Sequence, residues 1–272
     1  MSANSKIPQA QHRLSIHVSM NGLSFVVQDK TTKECIVWEY FPYTIPGNDY
    51  NDWAREIDGI FRRTDLLQKQ FAHCEVCLDT CKHTLIPSPL FRPEQAVQVL
   101  QQLFSIADLD EINHMDIPSA GATCIYALPG PVSTTIVKRQ RNARFYASIL
   151  PLYEFLRTQK DYSRALLCYG ETQIHLILMQ GDKLLLCNSY AVDRFSTSLY
   201  FLFFALKQWQ LNPHSLSLYI TGSFKPAHLR QLCSFFSSVT VASNNEFLFP
   251  TESVNLQFAP HLFPVCASSA DL

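Results

Sequence analysis

The sequence predicts an α/β protein assembled from two similar halves. The first observation is that the order strand, strand, strand, helix, strand occurs twice, with the first hairpins of the two copies offset by about 150 residues and the offset nearly constant through the third strand. The second is composition: 272 residues, 47% of them hydrophobic, can supply a sizeable core without disulfide staples. The third is that the longest apolar run, Leu199 to Leu206, falls well short of the about 20 residues a membrane-spanning helix needs, so it reads as a buried helix.

Leu14 to Ser19 and Leu23 to Asp29 are rich in strand formers and flank Met20-Asn21-Gly22, a turn signal, so they form a hairpin. Glu34 to Phe41 is a third strand after the polar stretch that starts at Lys30, and Pro42, Pro46 and Gly47 then break the chain. Asp49 to Arg63 places Trp53, Ile57 and Ile60 on one helical face, and Phe71 to Leu78 is a strand. In the middle of the chain, Pro93 to Phe104 is a helix with proline at its start, Ile125 to Leu128 a strand, Pro131 to Asn142 a helix and Phe145 to Leu150 a strand.

The second copy begins with Arg164 to Tyr169 and Thr172 to Gln180, a hairpin across Gly170. Gly181-Asp182-Lys183 turns into the strand Leu184 to Tyr190, Asp193 to Gln210 is helical, and Leu216 to Ile220 is a strand. His228 to Phe236 reads as a helix and Val239 to Ala242 as a strand, and the tail from Glu246 is expected to pack irregularly. The expected organisation is a flexible N-terminus over 1–12, a first subdomain over 13–150 and a second over 151–272.

Lysine plus arginine number 22 against 23 acidic residues, so the basic excess that drives phosphate-backbone binding is missing and a nucleic-acid partner is not implied. Nine scattered cysteines, an odd number set mostly in apolar runs, suit reduced buried thiols. With a polar stretch from Met1 to Arg13 in place of a signal-peptide core, they point to a cytoplasmic protein with no membrane insertion.

A duplicated β-β-β-α-β-α unit resembles the actin-like ATPase superfamily, a ribonuclease H-like fold. The second half is similar to its cell-division and pilus-assembly members, on the stretch Arg164 to Leu186, the helix Ser198 to Gln208 and Leu218-Tyr-Ile-Thr-Gly-Ser223. More narrowly, Leu14-Ser-Ile-His-Val-Ser19, Thr84-Leu-Ile-Pro-Ser-Pro-Leu-Phe91 and this second-half pattern resemble an uncharacterised bacterial family labelled as a domain of unknown function, DUF3822. That resemblance spans nearly the whole chain, and its motifs are structural.

The superfamily resemblance implies a nucleotide whose phosphates are cradled by the two hairpin turns, each preceded by an Asp-x-Gly pattern that manages Mg²⁺ and water. Here the first position reads His17-Val18-Ser19 and the second Cys168-Tyr169-Gly170, so both aspartates are replaced. Phosphoryl transfer depends on metal-held charge compensation and a positioned water, so no catalytic residue is assigned and a non-enzyme is preferred. The residues implied for any retained nucleotide are Asn21, Gly22, Gly170, Glu171, Thr172, Gly222 and Ser223, with ATP and Mg²⁺ as the cofactor such a site would take. The preferred reading of the glycines is that they only close hairpins, since turn glycine is common for steric reasons alone, with phosphate contact as the alternative. Glu171 is the one carboxylate near these turns that could ligate a metal or act as a base, although a turn glutamate reads first as a solvated side chain.

Other features weigh less. His73-Cys74-Glu75-Val76-Cys77-Leu78 offers a C-x2-C pair, but strand alternation points Cys74 and Cys77 to opposite faces, so no metal site is assigned. Lys138-Arg139-Gln140-Arg141-Asn142-Ala143-Arg144 is the one dense basic run and reads as a solvated helix face, with an acidic partner, RNA or a phosphate-bearing ligand as alternatives. The helix Asp193 to Gln210 carries apolar side chains around nearly its whole circumference, which predicts burial on several sides. The reading is a non-catalytic actin-like scaffold that binds another protein or itself. A nucleotide-binding switch or ATPase with a rearranged site is the alternative, and an RNA-associated protein the weakest reading.

Overall fold

The computed structural model describes residues 11–31, 35–44, 49–170, 172–222 and 224–242. The described residues within Met1–Thr80, Leu90–Met115 and Cys124–Ser148 form one compact unit, and those within Cys81–Pro89, Asp116–Thr123 and Ile149–Leu272 form a second.

In the first unit, β1 (His12–Val18) and β2 (Gly22–Asp29) form the expected hairpin, and β3 (Cys35–Pro42) pairs antiparallel with β2. α1 (Tyr50–Arg63) begins where the Asp49 carboxylate accepts the Asn51 N–H at 2.8 Å, satisfying one of the donors a helix start leaves open. Its Trp53, Ile57, Ile60 and Phe61 are buried, an i, i+4, i+7, i+8 stripe, and each such side chain contributes about 2 kcal/mol by leaving water. β4 (His73–Leu78) pairs parallel with β1, and β8 (Ala143–Ala147) parallel with β4, giving the order β3-β2-β1-β4-β8.

The second unit repeats this plan. β9 (Ser163–Tyr169), β10 (Gln173–Gln180) and β11 (Lys183–Ala191) form an antiparallel meander, and β12 (Ser217–Gly222) and β13 (Ser238–Val241) add parallel strands in the order β11-β10-β9-β12-β13. Even an irregularity is duplicated: the register shifts at Val27/Gln28 between β2 and β3 and at Leu178/Met179 between β10 and β11. α5 (Phe195–Gln208) and α6 (Pro226–Phe235) cover one face, their Leu199, Leu202, Leu206, Leu229 and Leu232 buried in one core with Leu167, Leu176 and Ile220 of the strands.

Between β4 and β8 lie β5 (His83–Pro87), α2 (Ala96–Leu103), β6 (Asp110–Ile117), β7 (Ala122–Pro129) and α3 (Gly130–Arg139). Three of these strands make a small sheet of order β5-β7-β6. This stretch of the chain differs from what its sequence predicts. β5 and β6 were not expected, Pro93 to Gln95 is a separate 3-10 turn ahead of α2, and the expected helix 131–142 ends at Arg139 because β8 starts at Ala143. The expected strand 145–150 is cut short by α4 (Ile149–Thr158), which packs on β9, β10 and β11. The expected tail beyond Glu246 lies outside the described residues.

Candidate functional site

The first turn proposed for phosphate belongs to the first unit. The Ser19 N–H donates to Gly22 O at 3.0 Å, and the Asn21 N–H donates to Ser19 Oγ at 3.3 Å. Asn21 O in turn accepts the Tyr43 N–H at 3.0 Å and the Tyr40 hydroxyl at 3.3 Å. Two of the turn's amide donors are therefore committed within the protein. Glycine at 22 has a packing reason as well, since a Cβ there would lie 2.5 Å from Phe41 O on β3.

Gly170, Thr172 and Gly222 come together in the second unit, at one end of its sheet, where Gly222 pairs with Tyr169 across β12 and β9. The Gly170 N–H donates to Gln173 O at 2.8 Å and Thr172 O accepts the Val192 N–H at 2.9 Å, which closes the turn. Gly222 has φ +105, and a Cβ there would collide with the Tyr169 carbonyl, so only glycine fits. Beside it Tyr169, Phe195, Phe224 and His228 pack ring on ring, with Phe195 stacked on His228 at 4.0 Å. Burial and the nearby Lys225 hold the His228 imidazole below its usual pKa, so it packs as a neutral ring. Glu171 and Ser223 lie outside the described residues.

The positions that carry aspartate in the resemblance are the penultimate residues of β1 and β9. His17 pairs with Ser24 and Cys77 and is buried, and Cys168 pairs with His175 and Thr221 and is buried. An imidazole and a buried thiol do not replace hard carboxylate oxygens around Mg²⁺.

Cys74 faces Leu14 and Cys77 faces His17 in the β1–β4 register, and both are buried. Burial raises the Cys74 thiol pKa and pushes Cys124 up to about 12, so both stay protonated and unreactive at neutral pH. Among the described residues no group of three metal-ligating side chains has the geometry to hold an ion. The basic run is not one solvated helix face: Lys138 and Arg139 end α3, Arg144 lies in β8, and the fully buried Gln140 between them donates to Leu67 O at 3.0 Å and Lys69 O at 2.7 Å. Nor is α5 buried on several sides. It buries one stripe, while Tyr200 and Phe204, stacked at 5.9 Å, are exposed along with Trp209.

Two polar clusters escaped the sequence reading. In the second unit Ser189 Oγ lies 2.5 Å from His175 Nδ1 and 2.6 Å from His83 Nε2, with both histidines buried. One hydroxyl hydrogen serves one ring and an oxygen lone pair the other, so the single hydroxyl ties the two imidazoles together. In the first unit Glu75, 2% exposed, has its pKa raised by burial against the opposing pull of Tyr146, Arg144 and Arg13. No local motif joins these residues; only strand register does.

The sequence profile of a family of proteins of unknown function, DUF3822, matches residues 2–238. No curated protein matches the chain. Among solved structures, a Bacteroides thetaiotaomicron protein with actin-like ATPase fold and unknown function superimposes with a TM-score of 0.77 at 19% identity, over 86% of this chain and 91% of that one. A chain of the PilM-PilN type IV pilus biogenesis complex gives a TM-score of 0.53 at 14% identity, over 87% and 89%. These likenesses show the fold, that of the actin-like ATPases.

Proposed function

The chain belongs to the DUF3822 family of proteins of unknown function, and from that premise we propose that it is a non-catalytic, cytoplasmic actin-like protein that works by binding another protein. The observation that carries this reading is the pair His17 and Cys168, at the two strand ends where the superfamily places its metal-managing aspartates. Phosphoryl transfer without those carboxylates lacks its charge compensation. The internal commitments of the Ser19, Asn21 and Gly170 amides support the same reading, because each removes a donor that a phosphate would need. That a neighbour of this fold was solved as a PilM-PilN complex supports a protein partner. No helix among the described residues is long and apolar enough to cross a membrane.

Tagged full-length chain isolated from its own cells is expected to bring with it one protein in stoichiometric amount. Release of phosphate from Mg-ATP by the purified chain, above the rate in buffer, would overturn the reading.

A further inference from the structure

A cavity of about 1270 Å³ lies wholly within the first unit, between α1, α3 and the start of β6. That is larger than the roughly 300–1,000 Å³ of a small-molecule site. Its two ends carry opposite charge. One end is built on Asp108, Asp110 and Glu111, where Glu111 accepts the Ser133 hydroxyl at 2.8 Å and Asp110 accepts the Ala107 N–H at 2.8 Å. Gly130 lets this segment lie close: its N–H donates to Leu109 O at 2.8 Å, and a Cβ there would sit 2.8 Å from the same oxygen.

The other end is built where α1 and α3 finish, with Arg62, Lys138 and Arg139. Asp58 accepts from Arg139 Nε at 2.9 Å and pairs with Arg62 at 2.6 Å, so one carboxylate holds two guanidiniums in place and leaves an excess of positive charge. The hydrogen bond from Arg139 outweighs the opposing effect of burial and holds the Asp58 carboxyl below its usual pKa, so it stays ionised. An adjoining recess of about 340 Å³ is lined by Arg62, Lys138, Arg139, Gln68 and Gln70, with no carboxylate among them. The two glutamines donate to Arg62 O and Arg139 O, fixing both helix ends.

Resting on the scaffold reading above, we propose that this groove binds an extended segment of a partner protein bearing one basic and one acidic side chain. The spacing follows from the helix that floors the groove: Gly130 to Arg139 rises about 13 Å at 1.5 Å per residue. That distance matches about four residues of extended chain. The carboxylates at the 108–111 end disfavour a nucleic-acid backbone, and the lining residues include no aromatic ring on which a base could stack.

The test is selection from a phage-displayed random decapeptide library on the immobilised full-length chain, with a Thr134→Trp chain as counter-selection. Thr134 is exposed on α3 and lines the groove, so tryptophan obstructs it without touching the core, and an unchanged melting temperature checks the fold. The expected result is enrichment of peptides with a Lys or Arg about four positions from an Asp or Glu. A synthesised winner should bind Lys138→Glu at least tenfold more weakly. The proposal is overturned if nothing is enriched over the counter-selection, if winners bind Thr134→Trp equally well, or if decauridylate displaces them. None of these outcomes bears on the loss of phosphoryl chemistry, which phosphate release tests separately.

Discussion

Arginine is buried at matching places in the two copies, Arg13 in β1 and Arg164 in β9, and burial lowers the pKa of both. Arg164 shows what such a residue does: its guanidinium donates to Leu156 O and Asp161 O, each at 2.7 Å, and so ties the end of α4 to the turn that leads into β9. Arg164→Met should destabilise the protein by about 3 kcal/mol, measured by urea unfolding, because two charge-assisted bonds from a buried guanidinium are lost. A cost below about 1 kcal/mol would mean water reaches those carbonyls. Single residues were legible where backbone geometry fixes them. Strand alternation separated Cys74 from Cys77, and glycine at 222 is explained by its φ of +105. What Gly22 and Gly170 do was ambiguous from sequence, since closing a hairpin and approaching a phosphate both select glycine. The trio His83, His175 and Ser189 was invisible because His83 is 106 residues from Ser189 and reaches the β10–β11 pair only through β5, a strand the sequence did not announce.

Among the elements, the two meanders, α1, α5 and the parallel strands were readable because each has a clear period or a turn signal. α4 was missed for a physical reason. Ile149 to Leu156 are all buried, so the sequence shows an apolar run interrupted only by Glu154, with Pro151 inside it and no 3.6-residue rhythm. β6 failed in the opposite sense: Asp110-Glu-Ile-Asn-His-Met-Asp carries few strand formers and is mostly half-exposed. α5 misled because aromatic residues on its outer face imitate a core helix. Leu202→Ala, in the buried stripe, should cost about 3 kcal/mol on removing a fully buried side chain. Phe204→Ala, on the exposed ridge, should cost under about 1 kcal/mol. Equal losses in chemical denaturation would show that the ridge is covered in solution.

At the scale of the molecule, the sheet plan is duplicated down to a matched register shift in each copy, and the proposed reading rests on His17 and Cys168 standing where the resemblance implies metal-managing aspartates. Architecture was legible because hydrophobic pattern and turn chemistry recur at a constant offset, and those are the constraints that folding imposes on each half. Function was less legible because fold alone does not determine it. The groove between α1 and α3 needed the structure, since its charges come from three separated segments of chain. The central claim is that the phosphate-binding turns no longer serve a nucleotide. A thermal-shift titration with ATP, ADP and GTP, each with and without Mg²⁺, tests it directly, because a ligand of the native state raises its melting temperature. The account predicts an unchanged melting temperature up to millimolar nucleotide, and a saturable, Mg²⁺-dependent rise would contradict it.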